Sequence, residues 1–395
     1  MTKGKDIIVV GIQAWDIEIG SNCKNIALEL SKNNRVLYVN PPMTRAVMRR
    51  KSNKESIQKR IRIKNGEENS LVGISPNLWN LYPKTLVESI NRVPLHVLFK
   101  ILNKKNTLRY AKDIKSATAT LDFKNVILFN DSSMFLGASL KELLNPELYI
   151  YYIRDNLITQ DYFKKHGVRL EKKTIKSANL VVSNSPYLRD YAKSFNSHSY
   201  YVGQGCDLEL FKPNLVAEPA DLAKIQGIKI GYIGFLTEMR LNIRLLVEIA
   251  KTKSEWQIIL VGPEDNAFKN SELHQLSNVH FLGNKNEDDL PAYIKYFDVC
   301  MNPQEVNALT IGNYPRKIDE YLAMGKATVA TQTPTMEIFK DHVYLGDTAT
   351  DYIQLIETAL KEDSPVKQQE RIVFAQGHTW GNNVQQIDKA IQQFN

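Results

Sequence analysis

Short apolar runs recur along the chain, and glycines or small polar residues close many of them. Asp6–Ile12 (DIIVVGI), Arg35–Val39, Val126–Phe129, Leu148–Ile153, Leu180–Val182 and Ser199–Val202 form a first series. Continuous apolar runs of this length predict strands buried on both faces, the pattern of a parallel sheet. The loop Gln13–Gly20 feeds a helix that starts near Ser21, with Ala27, Leu28 and Leu30–Ser31 as its inner face. Thr85–Lys115 reads as a long, basic, mostly helical stretch. Its Leu86, Ile90, Val93, Leu95, Val97, Leu98, Phe99 and Ile101 make it apolar enough to lean on a core or a membrane. A second series follows: Ile228–Ile233, Trp256–Val261, Val279–Leu282, Asp298–Met301 and the run after Gly325. Helices are predicted between them over Asn242–Lys251 and Asp289–Tyr296, and Asn382–Phe394 is amphipathic. Strand–helix alternation repeated in two halves predicts an α/β protein with two doubly wound sheets.

At 395 residues the chain is long enough for two cores, and 43% hydrophobic with 24% charged residues is ordinary for a globular protein. No run approaches the roughly 18 apolar residues of a membrane span. Ile7–Val10 is strand-like rather than the apolar core of a signal peptide. Cys23, Cys206 and Cys300 are few and far apart, which suits a reducing cytoplasm and gives no metal-ligand spacing. The histidines also sit in no ligand-like spacing, and His378 is among those read as structural or exposed.

The net charge of +8 is concentrated. Arg45, Arg49, Arg50, Lys51, Lys54, Lys59, Arg60, Arg62 and Lys64 share their segment with one acid, Glu55, and a second cluster spans Lys100 to Lys115. Such clusters serve anionic lipid, nucleic acid or solubility. No nucleic-acid module signature accompanies them, so no nucleic-acid partner is expected.

Candidate chemistry gathers where strands end, because open α/β sheets bind ligands beyond the carboxyl ends of their strands. Val126–Phe129 runs into Asn130-Asp131-Ser132-Ser133, and Leu148–Ile153 into Arg154-Asp155-Asn156. Asp155 is placed to hold a ligand hydroxyl or act as a base, or else to cap the following helix; Asp131 is a second candidate on the same grounds. Gly20-Ser21 precedes a helix and offers N–H groups to a diphosphate, or else Ser21 simply caps the helix. The first unit lacks G-x-G-x-x-G, which removes the main support for a nicotinamide dinucleotide.

The most informative stretch is Asn313-Tyr-Pro-Arg-Lys-Ile-Asp-Glu-Tyr-Leu-Ala-Met-Gly325. It predicts a short helix capped by Asn313, with Pro315 in the first turn and Gly325 just past the end. Ile318, Tyr321 and Leu322 would face a core, while Lys317 and Glu320 share one face. An amide-rich helix start, a cation and a carboxylate one turn on can hold a phosphate and a sugar diol together, although a surface helix with an ion pair has the same pattern.

Pro315, Lys317, Glu320-Tyr-Leu-Ala and Gly325 resemble the nucleotide-sugar helix of retaining GT-B glycosyltransferases, in the glycosyltransferase group 1 branch of bacterial surface-polysaccharide assembly. Gly203-Gln204-Gly205-Cys206-Asp207 with Phe211 and Pro213 resembles the turn at that family's domain junction. The resemblance implies two Rossmann-like domains facing across a cleft. These are an acceptor-side domain over 1–210, a linker over 211–227, a nucleotide-sugar domain over 228–378 and a last helix, 379–395, returning to the first domain. It implies that Glu320 takes the donor ribose and that Arg240 and Lys317 neutralise the diphosphate without a metal. Gly234, Gly262, Pro263, Gly283, Gly312 and Asn313 would then line the nucleotide-sugar site. Gly312 stands where the family usually has a first glutamate, and Phe235 where it usually has an arginine.

The activity so implied is sugar transfer from a UDP- or GDP-sugar to a glycan or lipid-linked acceptor. No cofactor beyond the donor substrate is expected. The location would be cytoplasmic, with peripheral contact to an anionic membrane. A nucleotide-sugar epimerase on the same fold and a non-catalytic glycan- or nucleotide-binding subunit are the alternatives.

Overall fold

The computed structural model describes residues 3–16, 21–50, 52–213 and 216–394. Gly20 and Lys51 therefore lie outside the described residues. Two compact units emerge, one of Met1–Gly203 with Asn383–Asn395 and one of Gln204–Asn382.

The first unit is built on an eight-stranded sheet. Its strands are β1 (Asp6–Gly11), β2 (Arg35–Val39), β3 (Leu71–Ser75), β4 (Leu78–Leu81), β5 (Ile127–Asp131), β6 (Leu148–Ile153), β7 (Leu180–Ser183) and β8 (Ser199–Tyr201). They lie in the order β3-β4-β2-β1-β5-β6-β7-β8, and β3, paired with β4, is the one antiparallel strand. β1 and β6 are buried at every position, as their unbroken apolar runs predict. The chain reverses its winding between β1 and β5, which pair in parallel with Gly11 beside Asp131.

The first helix, Asn22–Ser31, buries Cys23, Ile26, Ala27 and Leu30, an i, i+3, i+4, i+7 stripe. The expected inner face was rotated: Leu28 points to solvent because it lies off that stripe. The long helix starts later than Thr85, at His96, and runs to Thr120. Pro94 keeps the residue before it out of helical geometry. Residues 85–95 form instead an irregular run pinned by Thr85 to Asp113 and by Glu88 to Asn106. The basic segment after residue 41 is two short helices, Arg45–Arg49 and Glu55–Asn65.

The second unit holds β9 (Ile228–Ile233), β10 (Trp256–Val261), β11 (Val279–Gly283), β12 (Val299–Asn302), β13 (Thr328–Thr331) and β14 (Tyr344–Gly346). The order is β11-β10-β9-β12-β13-β14, with every pairing parallel. Counted from β9 this is 3-2-1-4-5-6, the Rossmann arrangement, with its switch point between β9 and β12. Side chains alternate cleanly between two cores. Ile230, Ile258, Leu260, Val299 and Val329 enter one, and Ile233, Ile259, Val261, Cys300 and Ala330 the other.

The segment 216–227 is fixed on this unit. Leu222 is buried in its core, and Asp221 accepts from Lys285 at 2.6 Å and Tyr293 at 2.9 Å. The last helix, Trp380–Phe394, enters the first unit at Asn383, whose amide donates to the Val202 and Gly203 carbonyls at 3.0 and 2.8 Å.

Glu171, on the helix Asp161–Ser177, is buried in the first unit and accepts a hydrogen bond from Tyr191 at 3.0 Å. Burial pushes its carboxyl up to about 7. The folded state thus holds a proton that the unfolded chain releases near 4.5, so this group costs stability as pH rises between those values. Glu171→Gln should therefore stabilise the protein at pH 8, by up to roughly 3 kcal/mol, and have little effect near pH 4.5. Melting curves at the two pH values check this; equal shifts at both would contradict the protonation.

Candidate nucleotide-sugar site

In the second unit the strand-end glycines form a row. Gly234 N–H donates to the Val261 carbonyl at 2.9 Å, and Gly262 N–H to the Gly283 carbonyl at 2.9 Å. The backbones after β9 and β10 approach so closely that a Cβ on Gly262 would stand 2.0 Å from the Gly234 carbonyl oxygen. With φ of +143° and +142°, Gly262 and Gly234 also occupy a region that side chains avoid. Leu236 N–H takes the Pro263 carbonyl at 2.9 Å, which closes the loop behind the glycines.

The informative stretch arrives at this edge. Its helix is shorter than expected, Lys317–Ala323, and Asn313 does not cap it. Pro315 restricts Tyr314 to extended geometry, so the first turn closes from Ile318 N–H to the Pro315 carbonyl, while Asn313 N–H turns back to Thr310. The C-terminal end is as predicted. Gly325 is left-handed at φ +74°, and the Gly325 and Lys326 N–H groups return to Leu322 and Tyr321. Ile318, Tyr321 and Leu322 are all buried, and the Tyr321 hydroxyl accepts from Ile233 N–H at 2.9 Å, tying helix to strand.

Lys317 reaches the strand end. Its Nζ donates to the Tyr232 hydroxyl at 2.5 Å and sits 4.3 Å from that ring's centroid. A Cβ on Gly234 would come within 3.1 Å of the same Nζ. The structure thus brings Lys317 to Gly234 at the end of β9, and hydrogen bonds and close backbone contact continue the row from Gly234 to Gly262 and from Gly262 to Gly283. Glu320 lies on the same helix with 18% of its side chain exposed and Arg316 Nη2 3.8 Å away. Burial raises its carboxyl above the usual glutamate range, against the pull of Arg316 and Lys317. Arg316 Nε is buried without a hydrogen-bond partner.

Arg240 is exposed at the far end of the loop after β9 and makes no ion pair among the described residues. Its backbone anchors it, through Arg240 N–H to Thr237 and Glu305 N–H to Arg240. Asn307 adds a bond to the Met239 carbonyl at 2.9 Å, so this loop and the loop carrying Gly312 are joined. Gly312 itself is buried.

Two groups in this region escaped sequence reasoning. Tyr232 is one; its place at the penultimate position of β9 was a readable signal. The other is Asp319, fully buried, which accepts from Tyr314 at 2.8 Å, Cys206 Sγ at 3.2 Å and His378 Nδ1 at 2.6 Å. Burial and Asp319 hold the Cys206 thiol well above its usual range, so it stays a donor. One carboxylate thus ties the Lys317–Ala323 helix to the two segments where the chain passes between units.

In the first unit the candidates resolve differently. Ser21 is buried, accepts from Lys24 N–H at 3.3 Å and donates to Gln13 at 2.8 Å, so it is an ordinary helix cap. Asp131 is buried at the end of β5 and accepts from Arg154 Nε at 2.9 Å. Arg154 Nη1 also reaches Asp155 at 3.3 Å. Asp155 does not cap the helices that follow, whose cap positions are Asn156 and Gln160. The first unit also holds a cavity of about 310 Å³, lined by residues that include Gly11, Asn103, Asn106, Phe135, Tyr162 and Phe163. Asn103 Oδ1 is buried there without a partner.

Among the described residues no three His, Cys, Asp or Glu side chains group as metal ligands. Each unit is built on a Rossmann-like, doubly wound sheet. Residues 227–362 match the family model "Glycosyl transferases group 1".

A Bacillus subtilis protein named "Putative teichuronic acid biosynthesis glycosyltransferase TuaH" is 28% identical over 252 residues; the match covers 60% of this chain and 62% of that protein. Among solved structures, sucrose-phosphate synthase from Thermosynechococcus elongatus superposes with a TM-score of 0.68 at 14% identity, covering 98% of both chains. Anabaena HepE in complex with UDP gives 0.67 at 14% identity, over 98% of this chain and 100% of that one. An Escherichia coli structure titled as trehalose-6-phosphate bound with UDP-2-fluoro glucose gives 0.70 at 11% identity, over 98% and 99%. At these identities the superpositions show the fold.

The buried Asp319 network yields a direct check. Asp319→Ala strands a tyrosine, a thiol and an imidazole in a closed site and should cost roughly 3–5 kcal/mol, read by urea denaturation. A loss below about 0.5 kcal/mol would show that the network is not holding the helix.

Proposed function

We propose that the protein is a glycosyltransferase moving a sugar from a nucleoside diphosphate sugar to a hydroxyl of a glycan or lipid-linked acceptor in cell-surface polysaccharide synthesis. The observation that carries this reading is Lys317 poised over Gly234, with Glu320 one turn on, inside the segment that matches group 1 glycosyl transferases. Glu320 accepts the ribose hydroxyls, a role for an acceptor-only side chain. Lys317 and Arg240 stabilise the diphosphate. The glycines let the nucleotide approach bare backbone, and Gly312 and Asn313 border the donor. UDP is favoured over GDP as carrier by the ligands named for HepE and the Escherichia coli structure.

In the step itself the sugar C1–O bond to the diphosphate breaks and a bond from C1 to the acceptor oxygen forms. The acceptor proton passes to a leaving-phosphate oxygen on the same face, so configuration is retained and no strong side-chain base is required. Asp155 orients a sugar hydroxyl next to Arg154. The aromatic and amide-lined cavity of the first unit takes the acceptor, with Asn103 Oδ1 receiving a hydroxyl. The protein works in the cytoplasm, peripherally at the inner face of an anionic membrane.

Incubation with UDP- and GDP-sugars tests the reading. Nucleoside diphosphate should be released only when acceptor is present. An epimerase would convert donor without acceptor, and a binding subunit would release nothing. Transfer should survive EDTA, because Lys317 and Arg240 supply the positive charge; loss with EDTA and recovery with Mn²⁺ would contradict this.

Glu320→Gln should weaken UDP binding by roughly ten- to a hundredfold, the worth of a charged hydrogen bond, without lowering thermal stability. Wild-type affinity should also fall on acidification above the pH at which an ordinary glutamate protonates, a step the Gln variant lacks. Unchanged affinity in calorimetry would remove Glu320 from the site.

A further inference from the structure

The first half of the helix His96–Thr120 buries several polar residues and exposes aliphatic ones among its lysines. Its buried positions include Asn103, Asn106 and Thr107. Asn106 clamps Glu88 through both backbone groups, each at 2.9 Å, and Asn103 donates to the Phe135 carbonyl at 2.8 Å. Outside stand Leu95 at 66% exposure, Val97 at 71%, Leu98 at 44%, Ile101 at 50% and Leu108 at 45%. Val97, Ile101, Lys104 and Leu108 follow helical spacing, as do Leu98, Ile101, Lys105 and Leu108, so these residues share one face. Of the eight apolar residues that could serve a core or a membrane, Leu86, Ile90 and Phe99 go to the core. The other exposed large hydrophobics among the described residues lie in both units, among them Phe235, Met239 and Val306 in the second.

The charge around this face is of one sign. No Asp or Glu occurs from Ser89 to Lys112, a stretch holding Arg92, Lys100, Lys104, Lys105, Arg109 and Lys112. Of these cations, Arg109 alone forms a salt bridge among the described residues, with Glu88 at 3.4 Å. In the other basic segment three arginines are paired with acids. Arg60 is held bidentately by Asp16 at 2.7 and 2.8 Å, Arg45 by Glu88 at 2.7 Å, and Arg62 by Glu55 and Glu68.

We propose that the outer face of this helix, from Leu95 to Leu108, docks the protein on an anionic lipid bilayer. Leu95, Val97, Leu98 and Ile101 enter the boundary between headgroups and acyl chains, while Arg92, Lys100, Lys104 and Lys105 meet lipid phosphates. Aliphatic side chains ringed by unpaired cations fit a surface that is apolar below and anionic at its rim. A second copy of this chain would bring like charges face to face. The assignment rests on the peripheral-membrane reading above and moves its anchor from the segment 45–64 to this helix.

Flotation of the full chain with vesicles of phosphatidylcholine, with and without phosphatidylglycerol, tests it. The wild type should float with the anionic vesicles, and less so as salt is raised. The triple change Val97→Ser, Leu98→Ser, Ile101→Ser should reduce binding by roughly tenfold or more even at low salt, with melting temperature and UDP affinity unchanged. Changing Lys100, Lys104 and Lys105 to Ser should also weaken it and flatten the salt dependence. Changing Arg49, Arg50 and Lys54 to Ser should not. If the aliphatic variant floats like wild type, or the Arg49 variant alone fails to float, the membrane reading stands and this face is not the anchor. If the wild type floats with no vesicle, the membrane reading itself fails. If the aliphatic variant turns a dimer into a monomer by light scattering, the face serves a second copy and the proposal is overturned.

Discussion

The site depends on one close approach: the backbone of Gly262 against the carbonyl of Gly234. A methyl group at Gly262 would overlap that oxygen, and one at Gly234 would crowd Tyr232 and Lys317. Because neither glycine carries a side chain, the ends of β9 and β10 stay level and Lys317 can lie across them. The sheet below supplies the rigidity, with apolar residues packed on both faces. Tyr321 and Asp319 supply the orientation of the helix, one bonding a strand amide and the other gathering three donors. The exposed side of a seven-residue helix is thereby held by its buried side, which is how so short a helix can present a site.

The same constraint explains what was legible in the sequence. Strands buried on both faces leave unbroken apolar runs, so the doubly wound plan of each unit could be read almost strand by strand. Gly234 and Gly262, after β9 and β10, stand where a side chain would clash, while Gly283, the last residue of β11, has open space around it and a left-handed backbone. The Asn313 cap was misread because Pro315 acts on the residue before it, and this outweighed the capping preference of an asparagine two positions earlier. The inner face of the first helix was misassigned by one position, where a stripe of four buried residues leaves little slack.

Pairings between distant residues were not legible. The segment 45–64 has one acid in its own sequence, yet Asp16, Glu68 and Glu88 come to its arginines in the fold. Asp131 and Asp155 looked like free carboxylates at strand ends, but both contact Arg154. Asp319 looked like one more polar residue beside Glu320, and only its burial reveals that it joins Cys206 and His378 from opposite ends of the second unit. In each case charge counted along the chain differs from charge counted in space, and burial decides which carboxylates remain available to a ligand.

The central claim is that a nucleoside diphosphate seats on the strand ends and short helix of the second unit. Hydrogen exchange of the full chain with and without UDP tests it most directly, because backbone amides at the glycines and the helix start report occupancy. The account predicts slower exchange in 233–236, 262–264 and 317–321, with the rest of the second unit's sheet little changed. Slowed exchange confined to the first unit, or none anywhere at saturating UDP, would contradict it.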